Sequence, residues 1–262
     1  MSNLASNFYI FGALIKRDLK VLKSRLLSVF IDNCAILAVV LILFGYLLPK
    51  MGMPEALIGP IFIGNTVMSF FEIGFSLSTK LVHDIKFNRF IDYQVGLPTS
   101  LPWIIGSYIV NFIIETSLVS LPTLALGIFL LGDKFVIIQL NIPGFIFMYL
   151  LSLIFFATLF LLFSFAYEYH WFWSNIWTRR LEPLFAFGAI FVVWKKVYAF
   201  SQFWGILFLF NPITYTVEGL RSALIGGDTF IPLPICLTVV SFAILLNLFL
   251  LLPTIKKRLD YV

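Results

Sequence analysis

Charge is what this sequence has least of. Asp, Glu, Lys and Arg make up 12% of it, where a soluble domain carries about 25%. Histidine occurs twice, as His83 and His170, and cysteine twice, as Cys34 and Cys236. Both cysteines fall inside apolar runs, which excludes a disulfide framework and leaves ordinary packing as their expected role. With two histidines and no paired-Asp motif, neither a catalytic constellation nor a metal site is expected. No Gly-x-x-x-x-Gly-Lys-Ser/Thr phosphate loop is present, nor any Gly-Lys dipeptide, so no bound nucleotide or other cofactor is expected on this chain. Residues 1–25 lack an early apolar core and a small-residue cleavage site, so no cleavable signal peptide is expected. Internal repeats and low-complexity segments are also absent.

Apolar surface is abundant instead. Hydrophobic residues reach 61%, with 31 Phe and a mean hydropathy of +1.01. One core cannot hide so much, and the sequence reads as an all-α integral membrane protein. A crossing helix needs about 20 mostly apolar residues. Leu26–Leu48, Leu57–Ser78, Trp103–Leu131, Pro143–Ala166 and Pro232–Leu252 qualify. Residues 181–210 are interrupted by Lys195-Lys196 and are expected to provide one more crossing. Lys16, Arg17, Lys20, Lys23 and Arg25 precede the first span, and Lys256, Lys257 and Arg258 follow the last. Basic flanks favour the cytoplasm, so both termini are expected inside, which demands an even number of crossings. Six satisfy that parity. The net charge of +5 is then an orientation signal, and no nucleic acid partner is implied.

Two segments do not read as spans. In residues 1–25, continuing to Leu26, the apolar residues Leu4, Phe8, Phe11, Ile15, Leu19, Leu22 and Leu26 fall at spacings of 4, 3, 4, 4, 3 and 4, one helical face. Basic residues occupy the rest, as expected of an amphipathic helix in the cytoplasmic interface. The second is NPITYTVEGLRSALIGG, residues 211–227. Asn211 is a good N-cap, Pro212 costs nothing at the first helical position, and Gly226-Gly227 supplies a left-handed stop. The helix between is about 14 residues, ~21 Å long and too short to cross. Glu218 and Arg221 share one face. Parity makes this helix the limb of a re-entrant outer hairpin before the last span, within residues 181–231; a surface helix joining two spans is the plainer alternative.

Polar residues punctuate the spans. Asn65, Ser69, Glu72 and Ser76 form one stripe on the second, Asn111 and Glu115 lie on the third, and Asp32 lies on the first. They are candidates to line a transport route, and interhelical hydrogen bonds are the alternative. YEYHWFWSNIWTRR, residues 167–180, is expected as a cytoplasmic loop. Its Trp171, Trp173, Trp177, Arg179 and Arg180 make either an aromatic belt or an access site, where rings hold a sugar or drug and the arginines a phosphate.

The order of these features resembles the permease subunits of the type 2 ATP-binding-cassette (ABC) exporters. Asn211, Pro212, Glu218, Arg221 and Gly226 match the family's Asn-Pro…Glu-x-x-Arg…Gly pattern. HDIKFNRFIDYQVGLPTS, residues 83–100, is similar to its Asp-x-x-x-x-Arg…Leu-Pro-x-Ser segment. The basic, Tyr-containing run of the polysaccharide-exporting branch has no counterpart in KSRLLSVFIDN, residues 23–33. The resemblance implies a non-enzymatic permease acting as a homodimer in the inner membrane of a bacterium. Two copies of a separate ATPase subunit would bind ATP and Mg. It implies a coupling loop over residues 79–102 with Asp84, Lys86, Arg89 and Asp92 facing that ATPase, and an outer gate at Asn211, Pro212, Glu218 and Arg221. The cargo would be amphipathic or lipid-linked. A polytopic membrane enzyme acting on lipids and an ion-coupled secondary transporter are the competing readings. Asp84 and Asp92 would serve the first, Glu72 and Glu115 the second.

Overall fold

The computed structural model describes residues 4–259, with the side chains of Ala5, Trp171, Trp173, Ser174 and Leu259 outside the described set. Every regular element among the described residues is helical. Five are long and apolar enough to cross a membrane, and the molecule is a membrane-spanning helical bundle. The first, α1, spans Leu4–Val40 and continues as a π-helical Leu41–Leu47 and a last turn, Leu48–Lys50. Next come α2, Ile58–His83, and the short α3, Phe90–Val95. Then follow α4, Leu101–Leu131, and α5, Ile142–Ala166. Local chemistry sets several of these starts: Pro102 sits in the first turn of α4, and the Asn141 side chain accepts from the Gly144 amide at 2.9 Å to cap α5.

The segment expected at the interface is continuous with the first span. The described part is the first portion of α1, which runs parallel to α4 along its whole length. Phe8 and Phe11 lie 4.8 and 5.6 Å from the Trp103 ring. Farther along, Arg25 bonds Glu115 at 2.7 Å, and Lys134 just past α4 donates to the Gly45 carbonyl at 2.9 Å. The buried face of α1 includes Asn7, Leu14, Leu22, Asn33 and Leu37, while Leu4 and Phe8 stay exposed. Apolar spacing does not mark this face fully, because Asn7 and Asn33 are polar; Asn33 donates to the Val29 carbonyl of α1 itself at 3.0 Å.

The crossing expected within residues 181–210 begins earlier and is broken. A short turn, Tyr169–Trp171, leads into a π-helical Phe172–Leu181 and an α-helical Glu182–Ala186, and the backbone over residues 187–193 is irregular. Ring contacts trace its course against α2. Tyr169 meets His83, Phe172 stacks on Phe75, Trp177 touches Phe75 and Phe71, and Phe185 touches Phe71. Finally Ile190 reaches the level of Gly64. This segment, here termed pass five, therefore runs the height of the bundle antiparallel to α2. Residues 167–180 belong largely to it and are not a loop outside the bundle.

After pass five come α6, Trp194–Phe200, and α7, Gln202–Leu209, which pack as a hairpin with Trp194 Nε1 donating to the Gly205 carbonyl at 2.8 Å. Then α8, Pro212–Leu224, rises through half of the bundle, and α9, Leu233–Leu259, completes it. Arg258 lies 3.9 Å from Glu168, next to Tyr169, so the last helix finishes at the end where α1 starts. Both ends of the described chain lie together, at what is termed the terminal end; the opposite one is the far end. At the centre, α2 is enclosed by α4, α5, α8 and pass five, with Phe70, Phe71, Phe156 and Phe160 in edge-to-face contact.

Candidate functional site: a polar staple and a charged face

The irregular backbone over residues 187–193 lies inside an apolar bundle, where each unpaired N–H or C=O costs several kcal/mol by general estimate, ~2–7. The α8 helix supplies the partners. Asn211, Thr214, Glu218 and Arg221 recur at spacings of 3, 4 and 3 and share one face. Asn211 donates to the Leu184 carbonyl at 2.5 Å while its oxygen caps the Ile213 amide at 3.0 Å. Thr214 Oγ1 lies 3.1 Å from the Phe187 carbonyl. Arg221 donates to the carbonyls of Ile190 at 2.7 Å, Val192 at 2.7 Å and Pro60 at 2.8 Å. Glu218 accepts from the amides of Trp194 at 3.2 Å and Ile231 at 3.3 Å.

Glu218 and Arg221 pair with each other at 2.8 Å, and both are 0% exposed. The pairing is thus within the helix and leaves neither group free to reach another subunit. Of the two pairings open to Glu218 and Arg221, within the helix or between subunits, the first is the one formed, and with Asn211 they staple pass five to α2 and α8. Pro212 takes the expected first-turn position. Gly64 completes the staple, because a Cβ there would collide with the Ile190 carbonyl oxygen. Beside it, Ala189 adopts a left-handed φ of 56° while fully buried, a strained bend held by its surroundings.

At mid-height the picture differs. The α2 stripe passes from buried Asn65 and Ser69 toward half-buried Glu72 and exposed Ser76. The Asn65 Oδ1 is buried without a hydrogen-bond partner. Pass five flanks this stripe and turns Phe172, Ile176 and Leu181 inward, leaving Arg179 and Arg180 exposed. These arginines lie between the level of Trp177, against Phe75 and Phe71, and that of Phe185, against Phe71. They therefore stand near mid-height of the bundle, whereas counting basic residues as cytoplasmic placed them at its boundary. Asp32 is exposed on α1. None of the described residues forms an ion pair with Asp32, Arg179 or Arg180. Trp177 is half-exposed; Trp171 and Trp173 lie outside the described side chains. Toward the far end, Phe44 and Phe191 stack at 5.8 Å, one in the π-helical end of α1 and the other in the irregular part of pass five.

The remaining route candidates lie elsewhere. Glu115 is buried against Arg25, at the contact of α1 with α4, and Asn111 lies one turn below it on α4. Sequence reasoning missed Arg25 as the partner of Glu115, because it counted that residue only as a basic flank. In the loop after α2, Lys86 and Arg89 are exposed, whereas Asp84 and Asp92 are half-buried. Asp84 Oδ2 accepts from the Ile91 amide at 3.0 Å and so fixes the loop itself. Arg89 turns the chain with a left-handed φ of 52°. Phe87 and Tyr93 are exposed beside these cations, which charge alone did not reveal. Among the described residues no group of His, Cys, Asp and Glu is arranged to hold a metal ion. No protein-family model, curated protein or solved structure matches the chain.

Proposed function

We propose that this chain is the membrane-spanning subunit of an ATP-driven exporter of the type 2 ABC class, moving an amphipathic or lipid-linked substrate across the inner membrane of a bacterium. One observation carries the reading: Arg179 and Arg180 stand exposed at mid-height of the bundle, at the level of Phe71 and Phe75 on α2, the helix that carries the Glu72 stripe. Facing lipid, each charge would cost about 2.5–3.5 kcal/mol at a helix centre. A second copy of the chain, placed face to face, removes that cost and encloses a polar route. Asn65, Ser69, Glu72 and Ser76 then form its floor, and the Phe44–Phe191 stack closes it at the far end. Its mouth opens at the terminal end, which is the cytoplasmic side in this reading.

ATP is hydrolysed by two copies of a separate subunit docked on the exposed loop, with Lys86, Arg89, Phe87 and Tyr93 as contacts. Purification of the full chain with its native neighbours tests this. An ATPase is expected to co-purify with a dimer of the chain, and a Lys86→Glu/Arg89→Glu double variant to release the ATPase while the dimer persists. A monomer that is active without an ATPase overturns the reading.

A further inference from the structure

Two open cavities lie toward the terminal end, and their charges differ. In the one beside Arg25, of about 360 Å³, both signs meet: Arg17 donates to Asp18 at 2.7 Å and Arg25 to Glu115 at 2.7 Å. The other, of about 870 Å³, opens between the loop after α2, the end of α5 and the end of α9. Its size falls within the range of about 300–1,000 Å³ usual for small-molecule sites. Lys86 and Arg89 line it from the loop, Lys257 and Arg258 from α9, and Glu168 is the one carboxylate among the described residues around it. Glu168 does little to balance them. Its side chain is 82% exposed and stands 3.9 Å from Arg258, and exposed pairs are worth little. None of the described residues forms an ion pair with Lys86, Arg89 or Lys257.

Cations from two elements far apart in sequence therefore converge on one opening. They repel one another there, so the cavity favours an anion that several of them can share. The guanidinium forks of Arg89 and Arg258 suit phosphate oxygens. Its apolar side indicates which kind of anion. Ile85, Phe165, Ala166 and Pro253 form that side, and Leu250 and Leu246 are exposed on the same side of α9, one and two turns before Thr254. An acyl chain covers these leucines, whereas a free phosphate leaves them bare. Basic residues at the end of a span also stand at the level of lipid headgroups. We propose that this cavity binds the phosphate of an anionic phospholipid, with Lys86, Arg89, Lys257 and Arg258 around the headgroup and an acyl chain along Leu250 and Leu246. The bound lipid ties the loop after α2 to the ends of α5 and α9. The site does not rest on the exporter reading; where the loop also docks an ATPase, Lys86 and Arg89 are shared between lipid and partner.

The test uses the full chain in dodecyl maltoside, with no ATPase present. Binding of phosphatidylglycerol, phosphatidylcholine and glycerol phosphate is compared by native mass spectrometry, alongside the rate of tryptic cleavage after Lys86 and Arg89. Phosphatidylglycerol is expected to bind and to slow that cleavage, with the other two each at least about tenfold weaker. Lys257→Gln/Arg258→Gln should weaken phosphatidylglycerol at least about tenfold and remove the protection, although both loop cleavage sites remain and the chain stays folded by gel filtration. Lys16→Gln/Lys20→Gln removes as much charge from exposed positions of α1 outside the cavity, and should leave both affinity and protection unchanged. Phosphatidylcholine binding as tightly overturns the anion, and glycerol phosphate binding as tightly overturns the lipid. Equal losses in the two variants, undiminished affinity or protection in the α9 variant, or no binding of any probe overturns the site.

Discussion

Arg221 and Arg25 are both guanidinium groups between helices, each beside a glutamate at 2.8 and 2.7 Å respectively. Their settings are otherwise opposite. Arg221 is sealed at the far end, with three backbone carbonyls and one carboxylate around it. Arg25 is 26% exposed, keeps an unanswered Nε–H, and borders an open cavity. A buried charge is tolerated in apolar surroundings only when its hydrogen-bonding capacity is used. The far end meets that condition from within the chain, which makes it a fixed structural unit. The terminal end leaves capacity unused at Arg25, whose guanidinium reaches the open cavity instead of being sealed.

The contrast can be broken most severely at Arg221. Arg221→Met leaves Glu218 buried without its cation and strands the carbonyls of Pro60, Ile190 and Val192, at an expected cost of about 3–5 kcal/mol. The readout is a large drop in the thermal midpoint of the detergent-solubilised chain. Adding Glu218→Gln to that variant should recover part of the loss, since the unpaired charge is then gone.

Gly64→Val comes next, because its side chain must push the Ile190 carbonyl away from α2; a loss of about 1–3 kcal/mol is expected, again as a lower midpoint. Asn211→Ala removes one cap and the bond to the Leu184 carbonyl, for about 1–2 kcal/mol. Protease accessibility of the α6–α7 hairpin is expected to rise in the same variant. At the other end of the scale, Glu115→Gln should cost about 1 kcal/mol or less, because Arg25 reaches water. A loss at Glu115 as large as that at Arg221 would erase the distinction between the two ends.

Local chemistry made much of this legible. The caps and stop of α8 follow from Asn211, Pro212 and Gly226-Gly227, and Glu218 and Arg221 were placed on one face by their spacing. What they hold was not legible. Their partners are backbone atoms of residues 60, 190, 192, 194 and 231, and no side-chain pattern advertises a carbonyl. Pass five escaped for a related reason: π-helical turns and an irregular run blur the periodicity, and Arg179-Arg180 read as a boundary signal. The N-terminal helix shows a further limit. Its apolar spacing fitted a lipid surface, yet its actual neighbour is α4, which takes up Arg25 through Glu115 and Phe8 through Trp103. Periodicity identifies an amphipathic helix without saying what covers it.

The staple also imposes an order on biosynthesis. Tyr169–Val193 leaves the ribosome before Asn211–Arg221, so pass five must enter the bilayer with the carbonyls of Leu184, Phe187, Ile190 and Val192 still without their α8 partners. Until α8 follows, that segment is held by the insertion machinery or by water and has no settled place in the bundle. A nascent chain arrested before Asn211 should therefore remain extractable over this stretch, and one extended past Gly227 should not.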